Sequence, residues 1–179
     1  MPGIGPPATK VFGAVEDEVR ELVRRRGLDP EADGAAIRRL IDEVLADYGE
    51  RSLTSSLPPL ADPATTARSV YDAVAGFGPL QRYLDDPLVE EIWINEPGRV
   101  FIAKAGRSEL TTTILGTSQV RDLVERMLKS SGRRVDLSTP FVDAMLPDGS
   151  RLHVVIPDIT RRHWAVNIRK FSRYERHIS

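Results

Sequence analysis

The sequence contains no cysteine, so disulfides, thiolate nucleophiles and cysteine-based zinc sites are all excluded. It has no surplus of charge of one sign. Twenty-five basic residues stand against 26 acidic ones, a net charge of −1, so no global positive field draws the chain to nucleic acid, and such a role would need a local patch. No apolar run approaches the roughly 20 residues that span a bilayer. The N-terminus carries Pro2, Gly3, Gly5, Pro6 and Pro7 where a signal peptide needs an apolar segment, so the chain reads as a soluble protein that is not exported. There is no G-x-x-x-x-G-K-[ST] loop to wrap phosphates and set a lysine against them, so this chain alone is not expected to hydrolyse a nucleoside triphosphate. No G-x-S-x-G elbow occurs. The histidines, His153, His163 and His177, lack the helical i, i+4 spacing of a metal site, and His153 and His163 read as strand and loop residues.

What is present divides into three parts, with no internal repeat. Residues 1–9 are Pro- and Gly-rich and are expected to be disordered. Residues 10–60 read as a helical hairpin and a linker. Val15, Val19, Leu22 and Val23 form one stripe that Gly27 ends; Asp29-Pro30 supplies a second helix start, and Ile37, Leu40, Ile41, Val44 and Tyr48 line its face up to Gly49. The linker Glu50–Leu60 holds Ser, Thr and the pair Pro58-Pro59. Residues 61–179 read as an α+β domain. It opens with a helix that starts at Asp62-Pro63, carries Val70 and Val74, and ends at Gly76.

After Asp86-Pro87 the hydrophobic period becomes that of extended chain. Strands are expected over Val89–Ile94, Val100–Ala103 and Leu110–Leu115, with Glu96-Pro97-Gly98-Arg99 as a hairpin turn. An amphipathic helix follows, with Val120, Leu123, Val124, Met127 and Leu128 on one face and Gly132 as its C-cap. Phe141–Leu146, Arg151–Ile156 and Trp164–Phe171 complete a β-β-β-α-β-β-β order, which predicts an antiparallel sheet with helices on one face.

Alternation in the last two strands puts Leu152, Val154, Ile156, Trp164, Val166 and Ile168 on one face and Arg151 and Arg169 on the other. If Ile156 lies opposite Trp164, Arg151 faces Arg169, an arrangement of like charges that repels. Two readings stand: the guanidinium groups splay into solvent or pair with carboxylates, or they form an anion site able to clamp a phosphate. Arg133 and Arg134, after the long helix, either add to such a site or are merely solvated. Pairing across Asp148-Gly149 places Asp143 on the same face as Leu152 and Ile156, where a carboxylate needs a partner or a bulge.

Gly78-Pro79-Leu80 and Asp86-Pro87-Leu88-Val89-Glu90-Glu91-Ile92-Trp93-Ile94-Asn95 resemble a segment of the CpaF/TadA ATPases of the type II/type IV secretion superfamily. Gly132-Arg133-Arg134-Val135-Asp136, Asp143-Ala144-Met145-Leu146-Pro147-Asp148-Gly149-Ser150-Arg151 and Ile168-Arg169-Lys170-Phe171 match further blocks of that family in order. Met145 stands where the family usually has Arg, Pro157-Asp158 where it has two prolines, and Asn167 where Thr is common. The resemblance implies a PAS-like domain, preceded by an N-terminal helical element, that caps ATP held with Mg²⁺ by a RecA-like motor domain in a homohexamer. It implies that Arg151 and Arg169 reach the nucleotide phosphates, with Arg133 and Arg134 as accessory residues, and that the chain precedes a motor domain in a longer reading frame. The partners implied are neighbouring subunits and inner-membrane pilus or secretion platform proteins, with no nucleic acid. The place implied is the cytoplasm, at the inner face of the cell membrane when assembled. The competing reading is a free-standing PAS-like regulatory or protein-interaction module, and a third is a scaffold.

Overall fold

The computed structural model describes residues 7–96, 98–134, 138–157 and 162–171. They fall into two compact units, Met1–Pro79 and Leu80–Ser179.

The first unit is three helices, α1 (Pro7–Arg25), α2 (Gly34–Thr54) and α3 (Pro63–Ala75). Valines at 11, 15, 19 and 23 recur every four residues, so they share one face of α1, and all four are buried. They meet Ile37, Leu40, Ile41, Val44 and Tyr48 of α2 and Val70 and Val74 of α3 in a single core cluster. Burying each such side chain contributes about 1.5 to 3 kcal/mol. Asp62 caps α3 as its Asp-Pro start predicts, accepting from the Thr65 N–H at 3.2 Å.

Four expectations for this region change. Helix α1 already begins at Pro7, inside the stretch expected to be disordered, while residues 1–6 lie outside the described residues. Helix α2 starts at Gly34 after Asp33, not at Asp29-Pro30, because the Asp29 carboxylate closes a turn by accepting from the Glu31 N–H at 2.9 Å. It also runs through Gly49. The cost of an interior glycine, about 1 kcal/mol, is offset by burial of neighbouring Tyr48, whose hydroxyl donates to the Pro58 carbonyl at 2.8 Å. The compact units divide at Pro79/Leu80, not at 60/61, since the apolar stripe of α3 is buried with α1 and α2. The Ser- and Pro-rich stretch is a loop within a unit.

The second unit is a six-stranded antiparallel sheet, β3-β2-β1-β6-β5-β4, with helices. After a 3₁₀ turn at Gly78–Leu80 come α4 (Gln81–Asp85), β1 (Val89–Glu96), β2 (Arg99–Lys104), β3 (Arg107–Leu110), α5 (Thr117–Ser130), β4 (Phe141–Met145), β5 (Arg151–Val155) and β6 (Ala165–Arg169). Two meanders, β1–β3 and β4–β6, join where β1 pairs with β6. One face is apolar: Ile92 and Ile94 of β1, Ile102 of β2, Ile168 and Val166 of β6, Leu152 and Val154 of β5 are all buried. Helix α5 buries Val120, Leu123, Val124, Met127 and Leu128, and its Thr117 and Val120 line a crevice with Ile94 and Trp164.

The third strand lies at Arg107–Leu110, ahead of the expected Leu110–Leu115. Ala105 (φ 48°) and Gly106 (φ 74°) both take positive φ, which makes a tight two-residue hairpin turn, so pairing resumes at once with Lys104 opposite Arg107.

Candidate functional site

The sheet face opposite α5 carries the residues of interest, and strand pairing arranges them in rows. In one row Glu91 of β1 lies opposite Arg169 of β6, and Arg169 lies opposite Arg151 of β5, which in turn lies opposite Met145 of β4. The next row reads Phe101, Trp93, Asn167, His153, Asp143 across β2, β1, β6, β5 and β4.

The two arginines therefore occupy directly opposed positions, with Cβ atoms about 4.5 to 5.5 Å apart in such pairs. Both are exposed. Glu91, the carboxylate of that row, is committed elsewhere: its Oε1 accepts from Asn167 Nδ2 at 2.6 Å. Among the described residues neither guanidinium has an ion pair. Arg133 and Arg134 follow the C-terminus of α5 and are also exposed. The Arg133 N–H caps the helix by donating to the Leu128 carbonyl at 2.7 Å, a structural role for its backbone.

Asp143 departs from its expected surroundings. The hairpin closes with Met145 opposite Arg151 and Asp143 opposite His153, one residue out of the register expected from Asp148-Gly149. The cause is the loop Leu146–Ser150, in which the Leu146 N–H donates to the Ser150 carbonyl at 2.8 Å and the Gly149 N–H to the Leu146 carbonyl at 2.9 Å. A one-residue slip moves every side chain to the other face, so Asp143 leaves the apolar face without a bulge. Its Oδ1 lies 2.6 Å from His153 Nδ1.

Lys170, one residue past Arg169, points away from the arginine row. Its ammonium donates to the Asp86 carbonyl and, at 3.3 Å, to the Tyr83 carbonyl, while its backbone N–H donates to Glu90 O at 2.9 Å. This lashes the end of β6 to the α4–β1 turn and fixes where Arg169 leaves the sheet. Burial pushes the Lys170 ammonium down from the ordinary lysine value, opposed by Asp86, Asp148 and Asp85. Asp86 is held below the carboxylate range, first by the Leu88 N–H, against a smaller effect of burial, with Lys104 at 3.3 Å and Lys170 adding to it. The residues that sequence reading missed are Lys170, Trp93, Asn167 and His153. Alternation alone marks the last three, since they share a face with the arginines.

An open groove of about 410 Å³ lies beside the arginine row, lined by Glu91, Trp93, Asn95, His153, Val155, Ala165, Val166 and Asn167. Trp93 stacks on Phe101 with ring centroids 5.6 Å apart and planes at 9°. His153 stacks on Phe141 at 6.2 Å and 16°. Among the described residues no cluster of His, Asp or Glu is suited to a metal ion, and no helix is long and apolar enough to cross a membrane.

The chain carries a region similar to VirB11 proteins. It is 32% identical over 81 residues to protein VirB11 of Agrobacterium fabrum, covering 44% of this chain and 23% of that protein. It is 31% identical over 80 residues to type IV secretion system protein VirB11 of Brucella suis, covering 44% and 22%. An uncharacterized protein of Methanocaldococcus jannaschii is 34% identical over 110 residues, 60% of this chain and 15% of that protein. The chain thus spans about a quarter or less of the length of these relatives. Among solved structures, the VirB11 ATPase of the Brucella suis type IV secretion system, crystallised with sulphate, aligns with a TM-score of 0.47 and 31% identity, over 52% of this chain and 30% of that one. No protein-family model matches.

Proposed function

We propose that the chain is the nucleotide-capping and assembly region of a hexameric secretion or pilus-assembly ATPase of the CpaF/TadA kind, its sheet unit a PAS-like domain and its three-helix unit the N-terminal element. In this reading ATP and Mg²⁺ are held by a RecA-like motor domain, and Arg151 and Arg169 meet the nucleotide phosphates. Arg133 and Arg134 serve as accessory cations. The assembled ring works at the cytoplasmic face of the cell membrane against platform proteins.

The observation that carries the reading is the opposed pair Arg151 and Arg169, two exposed guanidinium groups with no ion pair among the described residues. A sheet that sets like charges face to face with no ion pair to either among the described residues holds them at a cost. A bound polyanion reverses that cost. Partial similarity to VirB11 proteins supports the class of machine. Each charge-assisted contact to phosphate is worth about 1.5 to 3 kcal/mol, roughly 10- to 150-fold in affinity. Calorimetric titration of the 179-residue chain with inorganic tripolyphosphate tests the pair. Arg151→Ala and Arg169→Ala are each expected to weaken binding at least tenfold. Unchanged affinity in both variants would return the pair to a solvated surface and favour a regulatory module that holds no nucleotide.

A further inference from the structure

One edge of the sheet is β4, and its backbone pairing fixes which residues meet a neighbour there. The Ile156 N–H donates to the Pro140 carbonyl at 2.9 Å and the Leu146 N–H to the Ser150 carbonyl at 2.8 Å. Hydrogen-bonded pairs alternate along an antiparallel ladder. In the register that sets Val142 opposite Val154 and Ala144 opposite Leu152, residues 140, 142, 144 and 146 therefore bond inward to β5. Phe141, Asp143 and Met145 turn their N–H and C=O groups outward, and among the described strands none lies beyond them.

The side chains of the same three residues stand on the open face. Phe141 is 52% and Met145 59% exposed, and they flank the Asp143 carboxylate. His153 Nδ1 meets Asp143 Oδ1, and a carboxylate has lone pairs for a second cation. An edge with outward backbone groups beside exposed apolar side chains is a template for another strand. Two features restrict what it accepts. Pro140 and Pro147 bracket the strand, which confines pairing to its five residues, and Asp143 puts a negative charge opposite the middle of any added strand. A second copy of β4 paired antiparallel about that centre would set the two Asp143 carboxylates opposite each other, like charges that destabilise a pair. A lysine or arginine is attracted instead. The other edge, β3, lacks this device: with the Thr111 N–H donating inward to the Val100 carbonyl, the same alternation turns Ser108 and Leu110 outward, and neither is charged.

We propose that the edge of β4 docks an extended segment of a partner protein as a seventh, antiparallel strand, with lysine or arginine opposite Asp143 and apolar side chains opposite Phe141 and Met145. Main-chain hydrogen bonds supply the attachment and alternate side chains the choice of partner. The charge at the centre of a short edge turns away strands of the wrong sign. The proposal is independent of what Arg151 and Arg169 bind.

The test is NMR of the unmodified 179-residue chain titrated with a capped synthetic peptide, Thr-Val-Thr-Lys-Thr-Val-Thr, which sets lysine between two valines on one side of an extended strand. Without peptide, the amides of Phe141, Asp143 and Met145 are expected to exchange freely with solvent. With it they should shift and become protected, while those of Ser108 and Leu110 stay unchanged. Replacing the peptide lysine with glutamate exchanges attraction for repulsion across the pair and should weaken binding at least roughly threefold. N-methylation of the peptide amides that face β4 should abolish binding. Asp143→Lys should reverse the preference between the two peptides; if that variant does not fold, the glutamate peptide on the parent chain decides alone. Unshifted amides at β4, equal affinity for the two peptides, or equal protection at both edges would overturn the proposal. Protection of the three amides in the chain alone would show the edge already covered and would likewise overturn it, in favour of a second copy if the protection grows with protein concentration.

Discussion

Asp143 and His153 face each other across the β4–β5 pair, Oδ1 to Nδ1 at 2.6 Å, on the open side of the sheet. The Asp143 side chain is 81% exposed, and an exposed pair of this kind contributes about 0 to 1 kcal/mol. Asp143→Ala should therefore lower the unfolding free energy by less than about 1 kcal/mol in urea denaturation. A loss above about 3 kcal/mol, the cost of breaking a buried pair, would mean that Asp143 belongs to the core after all.

The same register governs the arginines. Replacing Arg151 or Arg169 with alanine relieves a like-charge contact, so each variant should match or slightly exceed the parent in stability, by a few tenths of a kcal/mol. Chemical denaturation checks it. A clear loss of stability in either variant would make that arginine a structural residue.

Asp86 gives a pH dependence with a definite sign. Its folded-state pKa is depressed, chiefly by the Leu88 N–H, so the stability it contributes is present above the ordinary carboxylate range and is lost as pH falls through the depressed folded value. The stability gap between the parent and Asp86→Ala should accordingly stay constant from neutral pH to mildly acidic pH and narrow only below the ordinary carboxylate range. A gap that widens on acidification would contradict the assignment.

Ser55, Ser56 and Leu57, just past the end of α2, are exposed, and limited proteolysis should cut there first, as exposed loops open before packed elements do. Because Val70 and Val74 of α3 are buried with α1 and α2, the nicked pieces should co-elute in native gel filtration. Separation of the pieces would show that α3 does not hold the unit together.

Much of this was legible in the sequence, for identifiable reasons. Apolar periodicity located the helix faces and the strands because burial imposes it, and alternation in β5 and β6 was enough to put Arg151 opposite Arg169. What escaped depends on backbone detail that periodicity does not carry. The loop Leu146–Ser150 shifts β4 by one residue and turns Asp143 outward. The positive φ values at Ala105 and Gly106 start β3 early. The role of Lys170 was hidden because its partners are backbone carbonyls at Tyr83 and Asp86, far away in sequence. The aromatic groove was hidden for a similar reason, since Trp93, Asn167 and His153 meet only through pairing across three strands.

The 179-residue sequence contains no G-x-x-x-x-G-K-[ST] motif, so we propose that this chain does not by itself turn over ATP. A phosphate-release assay should show none above background. Sustained Mg²⁺-dependent hydrolysis that follows the chain through purification would contradict this.

The central claim is that Arg151 and Arg169 act on a nucleotide held by a motor domain, and the most direct measurement is steady-state ATP hydrolysis by the full-length ATPase of which we propose this chain forms the N-terminal region. Arg151→Ala and Arg169→Ala should each lower turnover at least tenfold, equivalent to about 1.4 kcal/mol or more of lost transition-state stabilisation, with the fold intact. Near-normal turnover in both variants would contradict the account.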